Sequence, residues 1–388
     1  MSNLPRPPHA AALCGVLLAL AALPAQALVS LNDGRDKFYV SGVVALSHDT
    51  NFYANSYGYA ESILSGTVTG EYSRRAGEIG VDASVGVKMA SHLEHPEENY
   101  QNPFFKAELT KGTGRTTGSL LVSAARESDN DAAANLRTRS WNYNSELNLH
   151  YPVIERYSLS GGVGYAFTDY QDKVYLVDGK EVRVMYDLGS FSARADLNYS
   201  INSQREFIAG YRFRTELSQG PNDYYDNDFN VGLKGRLLPK LTGTVRVGWQ
   251  FRNQKGGAGD NYSGLSASAA TTWVPTKQTS ITAQVLKDFR TTSTDIASDI
   301  VTGTLQASRV LNPQWSAGAG ISAGRTRFLG AVAKGRSDDF SSANAQVSFS
   351  PNEHLRVTYS YTFFNNNSTL GFANYDRNLF ALSVSSRW

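Results

Sequence analysis

The chain closes on Asn378-Leu379-Phe380-Ala381-Leu382-Ser383-Val384-Ser385-Ser386-Arg387-Trp388, an alternating strand that stops on an aromatic residue. Side chains alternate across a strand, so Phe380, Leu382, Val384 and Trp388 share one face while Ala381, Ser383, Ser385 and Arg387 share the other. The same two-faced pattern recurs almost to the start of the chain. A sheet of such strands in a membrane has to close on itself and pair its last strand with its first, because hydrocarbon offers no partner to an open edge.

Working outward from that strand, period-two alternation bounded by turn residues places strands near 36–48, 59–72, 77–91, 103–111, 115–126, 139–151, 156–169, 186–201, 204–217, 227–237, 240–252, 261–274, 278–290, 296–310, 314–326, 339–350, 354–365 and 374–388. That is eighteen, or sixteen if one hairpin around 169–187 is miscounted, where 174–184 would extend two strands beyond the membrane. The connections fall into two alternating classes. Short ones such as Asn202-Ser203, Leu238-Pro239 and Pro275-Thr276-Lys277 are interleaved with longer polar ones such as 93–102, 127–138, 218–226, 253–260 and 366–373. Short turns on one rim and longer loops on the other are the pattern of bacterial outer-membrane barrels, with the short turns and both termini on the periplasmic side. The expected fold is therefore all-β, a transmembrane antiparallel β-barrel of the outer membrane.

Composition agrees with this expectation. Hydrophobic residues make up 41%, yet after Leu23 no apolar run approaches the roughly 20 residues that a spanning helix requires. A soluble sandwich would bury one face of each strand. Here the outward series is lipid-like in strand after strand, for example Val81, Ala83, Val85, Val87 and Met89, or Val245, Val247, Trp249 and Phe251. Residues 1–27 read as a cleaved signal peptide, with Arg6, an apolar core over 10–23 and the small-residue site Pro24-Ala25-Gln26-Ala27. Residues 28–35 then form a short periplasmic segment and 36–388 the barrel. The lone Cys14 lies in the signal, which excludes disulfides and thiol chemistry from the mature chain.

The opposite face carries polar and small residues, too hydrophilic for a dry core and suited to a water-filled channel. The basic residues expected to line it are Lys88, Lys106, Arg194, Arg212, Arg214, Lys234, Arg236, Arg246, Arg252, Arg356 and Arg387. The acidic ones are Glu71, Asp82, Glu108, Glu146 and Asp196. Eleven against five is a bias toward anionic solutes that the whole-chain charge of +2 conceals. An equal alternative is that these charges pair across the barrel as struts. No loop has the length of an inward-folded constriction loop and there is no plug domain, so a wide lumen is expected, better suited to a polymer or oligosaccharide than to a small ion.

Catalytic constellations are weak, and neither an enzyme nor a cofactor is expected. His92 and His95 share a loop with Glu94, Glu97 and Glu98, where metal binding competes with plain solvation and solvation is favoured. No basic patch suggests nucleic acid. The expected partners are outer-membrane lipid and lipopolysaccharide.

Ser47-His48-Asp49-Thr50-Asn51-Phe52-Tyr53, Tyr359-Ser360-Tyr361-Thr362-Phe363-Phe364-Asn365-Asn366-Asn367 and Tyr375-Asp376-Arg377-Asn378 give the chain a diffuse resemblance to outer-membrane β-barrel proteins associated with exopolysaccharide biosynthesis and export. The final strand also resembles the tail that such barrels present for insertion. The family resemblance implies export of a secreted polysaccharide or oligosaccharide together with a periplasmic export protein. The alternatives are a general or anion-selective diffusion porin, and an adhesive or structural barrel.

Overall fold

The computed structural model describes residues 29–31, 35–75, 77–171, 174–177, 180–255, 260–330, 333 and 335–388. The expected signal peptide lies outside them. In chain order the strands are β1 (Val29–Leu31), β2 (Asp36–Asp49), β3 (Glu61–Arg74), β4 (Gly80–His92), β5 (Tyr100–Lys111), β6 (Thr117–Asp131), β7 (Leu136–Ile154), β8 (Tyr157–Tyr170), β9 (Val174–Val177), β10 (Lys180–Arg183), β11 (Leu188–Asn202), β12 (Arg205–Ser218), β13 (Tyr224–Leu238), β14 (Leu241–Gln254), β15 (Tyr262–Thr276), β16 (Thr279–Thr291), β17 (Ala297–Val310), β18 (Trp315–Phe328), β19 (Ser337–Phe349), β20 (Leu355–Ser368) and β21 (Tyr375–Arg387). β2–β8 and β11–β21 form the wall, eighteen antiparallel strands each hydrogen-bonded to its sequence neighbour. β9 and β10 pair only with each other, so this hairpin stands outside the wall, between β8 and β11.

The wall closes where the C-terminal strand meets the first one. β21 pairs with β2 from Ser41 opposite Arg387 to Asp49 opposite Leu379, and Val40 and Trp388 exchange backbone hydrogen bonds at 3.0 and 2.9 Å. Closure leaves no unpaired edge. Ahead of the wall, Val29–Leu31 folds back along the start of β2 with Val29 opposite Phe38.

Burial is inverted relative to a soluble protein. Val85, Ile321, Phe229 and Leu382 are all at least half exposed, whereas Asp49, Glu61, Gln250 and Arg252 have no exposure at all. The convex surface is apolar because it faces lipid, and the polar residues meet one another on the concave side. Strands of 13–15 residues rise roughly 45 Å along their axes, more than an apolar band about 25 Å tall requires even with a tilt of about 40°. The excess lies at the long-loop rim, which is why β6, β7 and β13 run past their sequence-derived limits. There both faces of the ladder meet polar surroundings, so the period-two signal fades while the backbone pairing continues.

Gly235 marks a bulge in β13, where the register shifts between Arg236 and Leu238. Its φ of 109° and the nearness of the Gln204 carbonyl leave no room for a side chain.

The register makes a direct prediction. Cysteine replacing Val247, which is 47% exposed on the convex wall, should react with a lipid-soluble maleimide and not a membrane-impermeant one. Cysteine replacing Ser268, which stands opposite Arg246, should show the reverse. A swapped result would mean that β14 and β15 present the other faces.

Candidate functional site

The arginines of β11, β12, β14 and β16 gather into one cluster on the concave wall. Arg214 donates to Asp226 through Nε at 2.8 Å and to Asp288 through Nη1 at 2.7 Å. Arg252 binds Glu216 at 2.8 Å and Asp226 at 3.0 Å, while Arg212 binds Asp228 at 3.0 Å and Asp288 at 2.9 Å. Arg290 reaches Asp288 at 3.2 Å, and Arg246 clamps Asp196 with two bonds of 2.8 Å. Thr291 adds a backbone and a hydroxyl hydrogen bond to Glu216, both at 2.7 Å.

This geometry shapes the barrel. Arg214 lies on β12 and Asp288 on β16, four wall strands apart. Along a flat sheet that is roughly 19 Å, further than the two side chains reach together. The β15–β16 ladder ends at Ala267 opposite Lys287, so Asp288 lies just past it, where β16 turns inward from β15. Gly264 on β15 leaves room for the Phe289 ring, which a β-carbon there would meet at 3.4 Å.

The cluster also corrects the sequence reading. Arg214 and Arg252, expected on a watery wall, are 2% and 0% exposed and act as struts between carboxylates. Glu216, Asp226, Asp228, Asp288 and Arg290 were missing from the expected set. Asp288 and Arg290 could have been found, since they continue the polar face of Thr282 and Gln284. Asp226 lay beyond the assigned strand end. With these acids included, the excess of cations narrows, but the two signs are not equally placed. The carboxylates lie against the wall and guanidinium groups cover them. Side-chain exposure is 43% for Arg194 against 2% for Asp196, and 45% for Arg290 against 1% for Asp288.

The other expected residues are dispersed. Glu71, Asp82, Lys106, Glu108 and Arg387 line a cavity of about 710 Å³ near the short-turn rim, together with Arg35 and Lys37, and Arg387 pairs with Glu71 at 2.7 Å. Lys88 sits 5.9 Å from the Phe104 ring centre, Glu146 accepts from Asn148, and Arg356 donates to Ser350. Lys234 lines a separate pocket with Glu206, and Arg236 is paired through its backbone with Gln204. His95 binds Glu61 and Glu98 binds Arg137, so these loop residues are committed to ion pairs; no metal-holding group of three or more His, Cys, Asp or Glu occurs among the described residues.

The mouth on the long-loop side is not open, contrary to the expectation that no loop folds inward. The tip of the β6–β7 hairpin crosses it. Arg336, between β18 and β19, donates to the carbonyls of Ala133 and Ala132 at 2.6 and 2.8 Å, and Ser293, between β16 and β17, donates to Asp131 at 2.6 Å. These partners lie about eight strands round an eighteen-strand wall, nearly opposite the hairpin. Residues 292–296 form the hub. Tyr186 donates its backbone N–H to the Ser293 carbonyl at 2.8 Å, and Asn222 binds the Asp295 carboxylate at 2.9 Å. Burial in this hub pushes the Asp295 carboxyl above its usual range. The sequence concealed the strap because its reach comes from continued strand pairing over Glu127–Asp131 and not from a long loop.

Comparison with known proteins agrees with the barrel. The family described as "Putative beta-barrel porin 2" matches residues 227–388. OccAB2 of Acinetobacter baumannii is similar at 11% identity, covering 91% of this chain and 98% of that one with a TM-score of 0.50. OccK2 (OpdF) of Pseudomonas aeruginosa, solved in complex with glucuronate, is similar at 10% identity over 91% and 97% of the two chains, also with a TM-score of 0.50. No curated protein matches the chain. At these identities the structures speak to the fold alone, a closed β-barrel shared over nine-tenths of this chain. The family match is to a porin and not to an exopolysaccharide-associated barrel, which overturns that resemblance and the export function it implied. The strap across the mouth also narrows the lumen on whose width the polymer argument rested.

Two outcomes follow from this geometry. Arg214→Met leaves Asp226 and Asp288 buried with less compensation and should cost about 3 kcal/mol in urea unfolding from lipid vesicles. Arg336→Ala releases the strap from the opposite rim and should raise single-channel conductance and its fluctuations, with unchanged heat-modifiable migration on gels.

Proposed function

We propose that the protein is a passive outer-membrane diffusion channel for small solutes that favours anions. The observation that carries this reading is the asymmetry of the cluster. Guanidinium groups of Arg194, Arg212 and Arg290 are 43%, 26% and 45% exposed, and the carboxylates that hold them are 1–6% exposed. A passing solute therefore meets cations first. In a narrowed passage with a low-dielectric wall, that arrangement raises the local concentration of anions. The planar guanidinium also suits a carboxylate, which it can bind through two parallel hydrogen bonds.

The layering supports a channel better than a sealed strut. Acids placed behind the arginines fix the guanidinium planes, and the planes left uncovered form walls of polar cavities of about 140 and 250 Å³. These are dimensions for small solutes. The strap acts in the same direction, since it removes the free cross-section that a polymer would need.

The test uses the exposed arginines and spares the buried ones. Arg194→Gln combined with Arg290→Gln should leave assembly intact and shift the reversal potential in a potassium chloride gradient toward cations. Glucuronate, a sugar carboxylate, should reduce wild-type conductance and affect the double variant at least several-fold less. Unchanged ion selectivity together with an unchanged glucuronate response would overturn the anion reading and leave an unselective porin.

A further inference from the structure

The convex wall is uneven at the long-loop rim. Over β11, β13 and β14 it presents aromatic residues, Phe191, Tyr225 and Phe251 among them, as an interfacial girdle does. Over β16–β19 charges stand there instead. Lys287 pairs with Asp299 at 2.6 Å and Arg325 with Asp339, whose side chains are 56% and 45% exposed. Arg327 stands opposite Asp299 in register and has no ion pair among the described residues. Three cations and two carboxylates thus share four adjacent strands.

Their height is informative. Trp315, at the periplasmic start of β18, lies ten residues before Arg325 on the same strand. At ~3.3 Å per residue and a tilt of about 40°, the vertical separation is about 25 Å, which is the height of the apolar band of such a barrel. The patch therefore sits at the outer-leaflet interface, level with lipid headgroups. The wall below it is apolar and rich in small residues. Ala317, Ala319 and Ala323 on β18 neighbour Gly303 and Ala307 on β17, with Ala345 beyond them on β19, and the exposed Ile321 and Leu305 stand opposite each other among them. Small residues on either side of that bulky pair leave room for acyl chains to pack against the wall.

We propose that the convex face of β16–β19 is a docking site for a phosphorylated glycolipid of the outer leaflet. Its phosphates bind Arg325, Arg327 and Lys287, and its acyl chains lie on the alanine-rich wall beneath. Charge complementarity selects this occupant. Exposed ion pairs contribute little by themselves, but cations at headgroup level attract anionic lipid, and phosphate accepts bidentate bonds from arginine. Asp299 and Asp339 hold Lys287 and Arg325 against the wall, and the patch keeps a net positive charge.

The experiment titrates the full barrel, in phosphatidylethanolamine nanodiscs, with diphosphoryl lipid A and reads bound lipid by native mass spectrometry. Wild-type protein should bind it saturably, and the Arg325→Gln/Arg327→Gln variant about tenfold or more weakly, the scale expected for losing two interfacial cations. Arg309→Gln, an outward charge at the opposite end of β17, should bind as wild type does. If the double variant does not assemble, Arg327→Gln alone is measured, with several-fold weakening expected. Equal binding of lipid A by wild type and the assembled variant would overturn the proposal. So would phosphatidylglycerol binding as tightly as lipid A, or inorganic phosphate competing at equal concentration, because the glycolipid would then not be what is recognised.

Discussion

Everything in this molecule depends on one constraint, that backbone N–H and C=O groups in hydrocarbon must find partners within the protein. The seam between β2 and β21 meets it. Once Val40 and Trp388 exchange their hydrogen bonds, the eighteen strands have no free edge strand left. Closure also divides the side chains absolutely into convex and concave sets, and each later feature inherits its environment from that division.

On the concave side the consequence is electrostatic. A water-filled barrel would leave its charges solvated and weakly coupled, whereas here β16 turns inward past the end of its ladder with β15, and Arg212 and Arg214 reach Asp288. Buried ion pairs offset their desolvation only when their hydrogen bonds are made, and Thr291 and the Phe289 carbonyl add to those of this group, while the Nε atoms of Arg212 and Arg252 have no hydrogen-bond partner among the described residues. The result is a rigid buttress whose buried members keep the shape while its exposed guanidinium groups define the surface a solute meets.

On the rim the same logic makes a strap from a hairpin. β6 and β7 continue their ladder to Asp131 and Leu136, far enough for the tip to be held by Ser293 and Arg336 from the opposite rim. Arg336 is itself held by Asp338 and stacked on Phe328, so the anchor is firm on one side and the contact to Ala132 and Ala133 is made through backbone carbonyls. The mouth is thus narrowed by backbone geometry more than by particular side chains at the tip.

The barrel, its closing pair and a count of eighteen strands with sixteen left open were legible in the chain, as was the two-faced character of many strands, because lipid on one side and water on the other impose a period-two pattern that can be read locally. Asp196, Arg212 and Arg246 were legible as members of the polar face for that reason. Only the tertiary structure decided which of them are covered. Arg252 and Arg194 carry the same local signal, yet one is buried against Glu216 and Asp226 and the other remains at the surface. That difference arises from wall curvature, which joins residues dozens of positions apart. The strap was hidden for a related reason, since beyond the membrane the alternation ends, and pairing between Glu127 and Ser140 leaves no periodic trace in the chain.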